Sequence, residues 1–283
     1  MLTIGMPVYN GERFIAQALQ SLIAQEFRDW TMLVADNCST DGTADIVEAF
    51  CRQDSRIRLV RHDHNLGAVP NFVFLAEQAK TPYFMWAAAD DEWSANYVGA
   101  CVAVLEADRK IGFASGAVVN TDLQGAHIRT YKPFSEFCKR GAVARLVSFA
   151  LAREADGKAN MIYSVYRTPL VQAVCRIPDI FEGWGSDMAF VAAVLARGRY
   201  AQMPEAVLLK RVVSDSDLNT ARLLNAGRYE QIQFGGHYPP EAYHAYATAL
   251  IRGMPTFALR SVMAFTMLRR RLLLILCRMS SLQ

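Results

Sequence analysis

The first part of the chain alternates between two hydrophobic patterns. Short apolar runs typical of strands occupy residues 2–7, 30–35, 57–61 and 83–88. Apolar residues at helical spacing occupy residues 15–23, 43–51 and 71–80. A strand followed by a helix, repeated three times, predicts a doubly wound, mainly parallel α/β sheet. In such sheets the ligand lies beyond the carboxyl ends of the strands.

The middle of the chain has a less regular pattern. Further strands are predicted at residues 111–119, 161–166 and 206–213. Helices are predicted at residues 143–151 and 187–197, and Gly198 is a typical stop for the second.

The C-terminal part of the chain is rich in helix-forming residues and arginine. Arg269, Arg270 and Arg271 interrupt its apolar runs, whereas a membrane-spanning helix needs about 20 apolar residues in succession. At about 100° per residue, Arg260, Arg271 and Arg278 share one stripe, with Arg270 on its flank, as in a helix lying on an anionic membrane. The alternative is a helix packed on the domain with its arginines in water, and the pattern does not separate the two.

The composition predicts what kind of protein this is and excludes one class of function. The chain has 52% hydrophobic and 20% charged residues, which predicts a folded globular protein. A formal net charge of +3 excludes a dedicated nucleic-acid binder. The six cysteines form no CxxC pair, so we expect reduced thiols and a cytoplasmic protein. The N-terminus lacks the basic start and long apolar stretch of a secretion signal, so we expect no export.

Polar residues follow each of the first four predicted strands. Pro7-Val8-Tyr9-Asn10 follows the first and could hold a flat base, although the pattern is also that of a turn. Asp36 ends the second strand, where an acid faces the ligand crevice, and Asp41 behind it is expected to cap a helix. Asn65-Leu66-Gly67 follows the third strand and is typical of a turn.

Asp90 and Asp91 follow the fourth strand. Adjacent carboxylates repel each other, and a hard divalent cation such as Mg²⁺ or Mn²⁺, bridged to a diphosphate, would remove that cost. The alternative is an acidic helix start, which the helix dipole favours without any ligand.

Two further positions carry candidate chemistry. Asp187 follows Ser186 at a predicted helix start, where both residues could simply be capping groups. Trp184 beside them could stack on a sugar or fill the core. Arg211, at the end of the last predicted strand, could approach a diphosphate, but we expect it to be a solvated charge.

Together these motifs resemble the ordered signature of the family 2 glycosyltransferases with the GT-A fold. The resemblance rests on Pro-Val-Tyr-Asn, Asp-Asn-x-Ser-Thr-Asp-Gly-Thr, Asn-Leu-Gly and Asp-Asp, each at a strand end. It is close over about the first 100 residues and looser to about residue 215. One departure is Ala88, where the family commonly has an acid.

The resemblance implies a GT-A type, Rossmann-like sheet with a C-terminal helical extension. It also implies a nucleotide-sugar donor site. In that site Pro7, Val8 and Tyr9 surround the base, Asp36 accepts a hydrogen bond from it, and Asn65 belongs to the adjoining loop. Asp90 would lie near the ribose or metal. Asp91 would bind Mn²⁺ or Mg²⁺.

The resemblance further implies that Asp187 is the catalytic base of an inverting transferase, taking the proton from the acceptor hydroxyl. Residues 1–100 would then bind the nucleotide sugar, residues 101–215 would form the acceptor side, and residues 216–283 would form a helical extension that contacts the inner membrane surface or packs on the domain.

The expected reaction transfers a sugar, from UDP in the leading hypothesis, to a glycan or lipid-linked acceptor in cell-wall or polysaccharide biosynthesis. Two alternatives remain open: a non-catalytic nucleotide-sugar-binding module, prompted by Ala88, and a polyprenyl-phosphate sugar synthase. Glycoside hydrolysis is disfavoured, because hydrolases have no need of a nucleotide site.

Overall fold

The computed structural model describes residues 1–139, 141–153, 156–182, 185–212 and 240–280. The expectations for Trp184, for the end of the strand predicted at 206–213 and for residues 216–239 lie outside the described residues. None of the described helices combines the length and the apolar character that crossing a bilayer requires.

Nine strands of the described chain form one sheet. The first four alternate with three helices, in the order β1 (Leu2–Val8), α1 (Ile15–Ile23), β2 (Trp30–Asp36), α2 (Thr43–Gln53), β3 (Ile57–Arg61), α3 (Ala68–Gln78) and β4 (Tyr83–Trp86). β3, β2, β1 and β4 lie side by side and parallel. These elements confirm the strand and helix pattern predicted from the sequence.

The second half completes the sheet and adds helices. Its elements are β5 (Glu92–Trp93), α4 (Tyr97–Ala107), β6 (Ile111–Thr121), β7 (His127–Thr130), α5 (Ala142–Leu151), β8 (Val165–Arg167), α6 (Thr168–Cys175), α7 (Ser186–Arg197), β9 (Arg199–Arg211), α8 (Pro240–Arg252) and α9 (Phe257–Ser280). β8 joins β4 antiparallel and continues the sheet through β6, β9 and β5. The long parallel pair β6 and β9 therefore brings the second half beside the first.

The core lies on both faces of the sheet. α1 buries its apolar stripe of Ile15, Ala18, Leu19 and Leu22. α7 is buried along nearly its whole length, from Met188 to Ala196, because α5, α6 and α8 all pack against it. The N-terminal end of α7 therefore has a fixed position in the second half.

The strand predicted at residues 161–166 is wrong for its first part. Residues Lys158–Tyr163 form a short 3₁₀ helix, and the strand begins only at Val165. The Tyr166 hydroxyl donates to the carbonyl oxygens of Met161 and Ile162 at 2.7 and 3.0 Å. Because the Tyr166 side chain donates a hydrogen bond to both carbonyl oxygens, they need no backbone N–H from a neighbouring strand.

Candidate functional site

The strand order places a crevice at the carboxyl edge of the sheet. β1 lies between β2 and β4, so the order reverses at the β1–β4 boundary. Val8 on β1 is in register with Asp36, which is in register with Arg61 on β3. Ligands of open α/β sheets bind at such a switch point, and the predicted residues at the ends of β1, β2 and β4 surround this one.

A cavity of about 450 Å³ opens at this edge. Its walls come from the segments after β1 and β4 together with α3. The lining residues are Pro7, Val8, Tyr9, Asn10, Gly11, Arg13, Phe14, Phe72, Ala88, Ala89 and Asp90. The mixture of aromatic surface, one carboxylate and one guanidinium suits a ligand with a flat apolar part and a charged part.

Hydrogen bonds between loops hold the edge of this cavity. The N–H of Asn10 donates to Ser39 Oγ at 2.9 Å, and the N–H of Thr40 donates to Asn10 Oδ1 at 2.9 Å. The Asp41 carboxylate accepts the N–H of Thr43, the first residue of α2, at 3.0 Å. The N-cap residue itself is Gly42, so Asp41 satisfies a donor at the start of the helix from one position earlier than expected. The loops after β1 and β2 are thus one hydrogen-bonded unit.

Asp36 is fully buried at the end of β2. Its Oδ1 accepts the N–H of Ser39 at 3.1 Å. Its Oδ2 lies 3.4 Å from Arg61 Nε, within ion-pair distance, but it has no well-oriented hydrogen bond in the described structure. A buried carboxylate oxygen that lacks a donor can accept one from a ligand.

Asn65 lies in the turn after β3, where its side chain orders the backbone. Its Oδ1 accepts from Asn37 Nδ2 and from the N–H of Gly67, each at 2.8 Å. Asn37 Oδ1 in turn accepts the N–H of Leu66. Asn65 therefore ties the third loop to the second, and it is exposed rather than part of the cavity lining.

Asp90 and Asp91 have different surroundings although they are adjacent. Asp91 is fully buried, and its Oδ1 accepts the N–H of Arg211 at 2.9 Å. Its Oδ2 lies 3.4 Å from Lys210 Nζ. Asp90 is half-buried on the cavity wall, and its carboxylate has no protein partner among the described residues. Asp90 is therefore the carboxylate that is free to meet a ligand.

The pKa values of Asp91 and Lys210 are shifted by burial and by the neighbouring charges. Burial raises the pKa of Asp91 to about 6, against the lowering effect of the Lys210 ammonium. Burial lowers the pKa of Lys210, but the carboxylates of Asp91 and Asp90 outweigh it, so the net pKa of the ammonium is raised. Lys210 is therefore a cation at neutral pH.

Arg211 fixes the same turn from the end of β9. It is only 8% exposed, and its guanidinium contacts Glu92, the backbone oxygen of Asp90 and the Phe14 ring. The expectation of a solvated charge is wrong, because sequence position alone does not show that β5 and the 90–92 turn pack over the end of β9. Arg211 thereby holds the backbone that presents Asp90.

Asp187 is the second residue of α7 and is half-buried. Burial raises the pKa of its carboxyl above the ordinary value, although the N–H of Met188 donates to Oδ1 at 2.7 Å and opposes this. Burial raises the pKa of the Tyr163 phenol to about 12, and the charges of Asp91, Asp90 and Asp187 add to the increase. The centroid of the Tyr163 ring lies 5.0 Å from Lys210 Nζ.

The donor set limits what kind of metal site the chain offers. The described residues contain no group of three or more His, Cys, Asp or Glu side chains that could hold an ion. Asp91 is engaged by Lys210, which leaves Asp90 as the available carboxylate. Mg²⁺ and similar ions bind through one or two carboxylates when substrate phosphates and water complete the shell. The residues fit a cation held jointly with a diphosphate.

Comparison with known proteins assigns the chain to a family. Residues 3–163, more than half of the chain, match the model of glycosyl transferase family 2. The chain belongs to this family. The doubly wound sheet is accordingly the GT-A fold predicted from the motifs at its strand ends.

Two bacterial glycosyltransferases are similar over about a third of this chain. The putative teichuronic acid biosynthesis glycosyltransferase TuaG of Bacillus subtilis is 32% identical over 93 residues, 33% of this chain and 37% of TuaG. The Escherichia coli UDP-Glc:alpha-D-GlcNAc-diphosphoundecaprenol beta-1,3-glucosyltransferase WfgD is 32% identical over 96 residues, 34% of this chain and 37% of WfgD. The match thus spans little more than a third of the length of these relatives.

Solved structures share the GT-A fold over most of the chain. Staphylococcus aureus TarS 1–349 in complex with UDP has a TM-score of 0.58 and 19% identity, covering 89% of this chain and 71% of that one. The mannosyltransferase PcManGT from Pyrobaculum calidifontis, in complex with GDP-Man and Mn²⁺, has a TM-score of 0.56 and 15% identity, covering 100% and 80%. At these identities the likeness concerns the fold.

Four of the predicted site residues line the cavity together, namely Pro7, Val8, Tyr9 and Asp90. Asp36 is buried at the end of β2, and Asp187 lies in the first turn of α7 in the second half. Asn65 is exposed in the turn after β3, and Asp91 is buried against Lys210 and Arg211. Sequence reasoning missed Lys210 and Arg13. A Lys-Arg pair ending a predicted strand was the one signal for Lys210, and the isolated Arg13 gave none.

Gly185, which precedes α7, controls the position of Asp187. Its φ is +75°, and a Cβ at this position would lie 2.8 Å from the ring of Tyr246 on α8. We expect Gly185→Ala to lower the free energy of unfolding by about 1–3 kcal/mol, because it adds backbone strain and a steric clash. Urea unfolding would measure the change.

Gly125→Ala is the matched control for Gly185→Ala. Gly125 also has a positive φ, of +84°, but a Cβ there would meet no atom within 4 Å. The loss in the free energy of unfolding of the control should therefore come from backbone strain alone. Equal losses in the two variants would argue against the contact between Gly185 and Tyr246.

Proposed function

We propose that this family 2 protein is an inverting glycosyltransferase that moves a sugar from a nucleoside diphosphate, UDP in the first instance, to an acceptor hydroxyl. One observation carries the proposal: in a chain that belongs to family 2, the cavity at the β1–β4 boundary is lined by Tyr9, Arg13 and Asp90. Residues 1–100 would bind the donor, residues 101–215 would form the acceptor side, and residues 216–283 would extend the latter.

The donor base would bind at the β1–β4 boundary. Tyr9 is 50% exposed at the cavity rim, where its ring can stack on a base, and Pro7 and Val8 provide adjacent apolar surface. Asp36 Oδ2 lacks an oriented donor, so it can accept an N–H from the base edge. Asn65 would contribute by holding the loop that borders this edge.

The diphosphate would lie between Asp90 and the nearby cations. Arg13 lines the cavity with Asp90, and Lys210 lies behind them at Asp91. We propose Asp90 as the carboxylate that would hold Mn²⁺ or Mg²⁺, with Asp91 orienting Lys210 and the Arg211 backbone. Such an ion, when bound, supplies neutralisation of the leaving diphosphate.

Asp187 would act as the general base. Its carboxylate accepts the proton of the acceptor hydroxyl while that oxygen forms a bond to the anomeric carbon. The bond from this carbon to the diphosphate breaks on the opposite face, so the configuration inverts and the nucleoside diphosphate leaves. The burial that raises the pKa of Asp187 makes its carboxylate a stronger base than an exposed aspartate.

A glycan or lipid-linked acceptor fits the relatives. TuaG is named for teichuronic acid biosynthesis, and the name of WfgD includes a diphosphoundecaprenol acceptor. By analogy, we propose a role in cell-wall or polysaccharide synthesis on the cytoplasmic side. A lipid-linked acceptor lies at a membrane surface, so the proposal includes peripheral contact with the inner membrane.

A thermal-shift experiment with nucleotides tests the donor assignment. We expect UDP to raise the Tm in the presence of Mn²⁺, and to raise it more than GDP or CDP does, because ligands that bind only the folded state stabilise it. Asp36→Asn should reduce the shift by UDP. Stabilisation by all three nucleotides alike, or by none, would contradict the proposed UDP site.

Turnover separates the enzyme from its main alternative. Ala88, where the family commonly has an acid, prompts the alternative of a nucleotide-binding module that has lost activity. Slow release of UDP from UDP-sugars by the wild-type protein supports the transferase. Tight binding of UDP-sugars without turnover, for a panel of sugar acceptors, would favour the module.

A further inference from the structure

One face of α9 is anchored to the domain. Met263, Thr266 and Met267 are buried. Arg270, on the same side, is 9% exposed, and its Nη1 donates to the carbonyl oxygen of Ala150 near the end of α5 at 3.0 Å. The expectation that the C-terminal helix packs on the domain therefore holds for this face.

The outer face of α9 exposes large apolar side chains. Phe265 is 71% exposed and Leu268 is 58% exposed, and on α5 Val143 and Leu151 are 47% and 37% exposed. An apolar groove of about 410 Å³ runs between the two helices, lined by Val147, Leu151, Ser261, Val262, Phe265, Thr266 and Arg269. We call this surface, with Val143 and Leu268, the α5–α9 face. An apolar patch shared by two helices indicates an interaction site.

The charged residues on the two helices of the α5–α9 face have a single sign. Arg260, Arg269 and Arg271 are exposed on α9. Neither α5 nor α9 contains an aspartate or glutamate, and Glu241 is the last acid of the sequence. Solvated helices commonly mix both signs. A helix that combines exposed phenylalanine and leucine with arginine alone is instead complementary to an apolar layer bordered by anions.

We propose that the α5–α9 face docks on an anionic lipid surface. Phe265 and Leu268 would enter the boundary between headgroups and acyl chains, and Arg269 and Arg271 would lie against the lipid phosphates. At about 100° per residue, Leu268 and Arg269 are within about 60° of Phe265 around the helix axis. Arg271 lies at the edge of the outer face of the helix, beside Leu268. This is the arrangement in which arginine stems cover apolar surface and their charges reach the interface.

A second copy of the chain is a poorer occupant of the face. A two-fold symmetric contact places the same patch on both sides, so it would bring Arg269 and Arg271 of two molecules together without any acid to compensate them. Anionic lipid supplies the missing negative charge. The docking itself does not depend on the proposed catalysis.

Co-sedimentation of the full chain with vesicles tests this proposal. We expect binding to vesicles of phosphatidylglycerol and phosphatidylcholine, and little binding to phosphatidylcholine alone. Phe265→Ser with Leu268→Ser should lower the partition coefficient at least about tenfold, because two apolar side chains lose their burial. Arg269→Gln with Arg271→Gln should lower it about fivefold for each charge, and added salt should weaken binding of the wild type.

Two controls lie in the first half of the chain. Val69→Ser removes an apolar side chain of 38% exposure, and Arg52→Gln removes an arginine whose side chain is 71% exposed. Both should bind vesicles as the wild type does. Circular dichroism would verify the fold of each variant, and the arginine variant decides the matter if the apolar variant fails to fold.

Three results would overturn the docking proposal. The first is that the wild type does not bind anionic vesicles. The second is that both α5–α9 variants bind these vesicles as strongly as the wild type does. The third is a concentration-dependent dimer in sedimentation velocity that Phe265→Ser with Leu268→Ser abolishes. UDP-induced stabilisation, measured on the same samples, would show separately whether the donor site is intact. Failure of membrane docking is thereby distinguishable from failure of the proposed transferase function.

Discussion

Asp187→Asn is expected to lower the rate of sugar transfer by about 10²–10⁴-fold, the usual contribution of a general base. The amide has nearly the same shape and can still accept the N–H of Met188, so the start of α7 should be preserved. It cannot take a proton from an acceptor hydroxyl. Release of UDP from a UDP-sugar, followed at saturating donor, would measure the loss.

Donor binding is the control for Asp187→Asn. Because Asp187 would act on the acceptor, UDP should stabilise the variant as much as the wild type. A variant that retains more than about a tenth of the wild-type rate would exclude Asp187 as the base. A variant that loses UDP binding would instead place Asp187 in the donor site.

The pH dependence of the activity should also reveal Asp187 as the general base. Only the deprotonated carboxylate of Asp187 can act as base, and burial raises its pKa above the ordinary value. Activity should therefore fall as the pH decreases through that raised pKa, at a higher pH than for an exposed aspartate near about 4. A profile of kcat/KM against pH would show where this acidic limb lies.

Asp91→Ala is expected to destabilise the fold, by about 2 kcal/mol or a fall in Tm of about 4 °C. The substitution leaves the Arg211 N–H without its acceptor and removes the carboxylate 3.4 Å from the Lys210 ammonium. The Lys210 side chain is 31% exposed, so water offsets part of the loss. Thermal unfolding without ligand would measure the effect.

Asp90→Ala is the matched control at the adjacent position. Its carboxylate has no protein partner in the described part of the chain, so the unfolding free energy should change by no more than about 0.5 kcal/mol. The Mn²⁺-dependent part of the stabilisation by UDP should disappear. The opposite pattern, a stable Asp91→Ala that loses the metal effect and an Asp90→Ala that keeps it, would restore Asp91 as the metal ligand.

The sequence predicted the structure best where a pattern of apolar and turn residues repeats along the chain. The strands of the first half were predicted because apolar runs alternate with helical spacing, and because turn residues such as Asn65 and Gly67 follow them. α4 was not predicted, since Val98, Cys101, Val102 and Leu105 are all buried and an almost wholly apolar helix has no polar stripe to reveal its period.

The sequence could not separate Asp90 from Asp91, because two adjacent acids have the same local context. Their surroundings depend on β9, more than a hundred residues later, because the Lys210 ammonium and the Arg211 N–H contact the carboxylate of Asp91 and not that of Asp90. The error over Arg211 has the same origin. Which charge is buried is decided by tertiary packing, and spacing along the chain does not record it.

A crystal structure of the full chain with UDP and Mn²⁺ would test the central claim most directly. The account predicts the uracil against Tyr9 and Asp36, the diphosphate beside Asp90, and the Asp187 carboxylate facing the β-phosphate across the cleft. A nucleotide bound away from the β1–β4 boundary, or an Asp187 carboxylate directed away from the bound diphosphate, would contradict it.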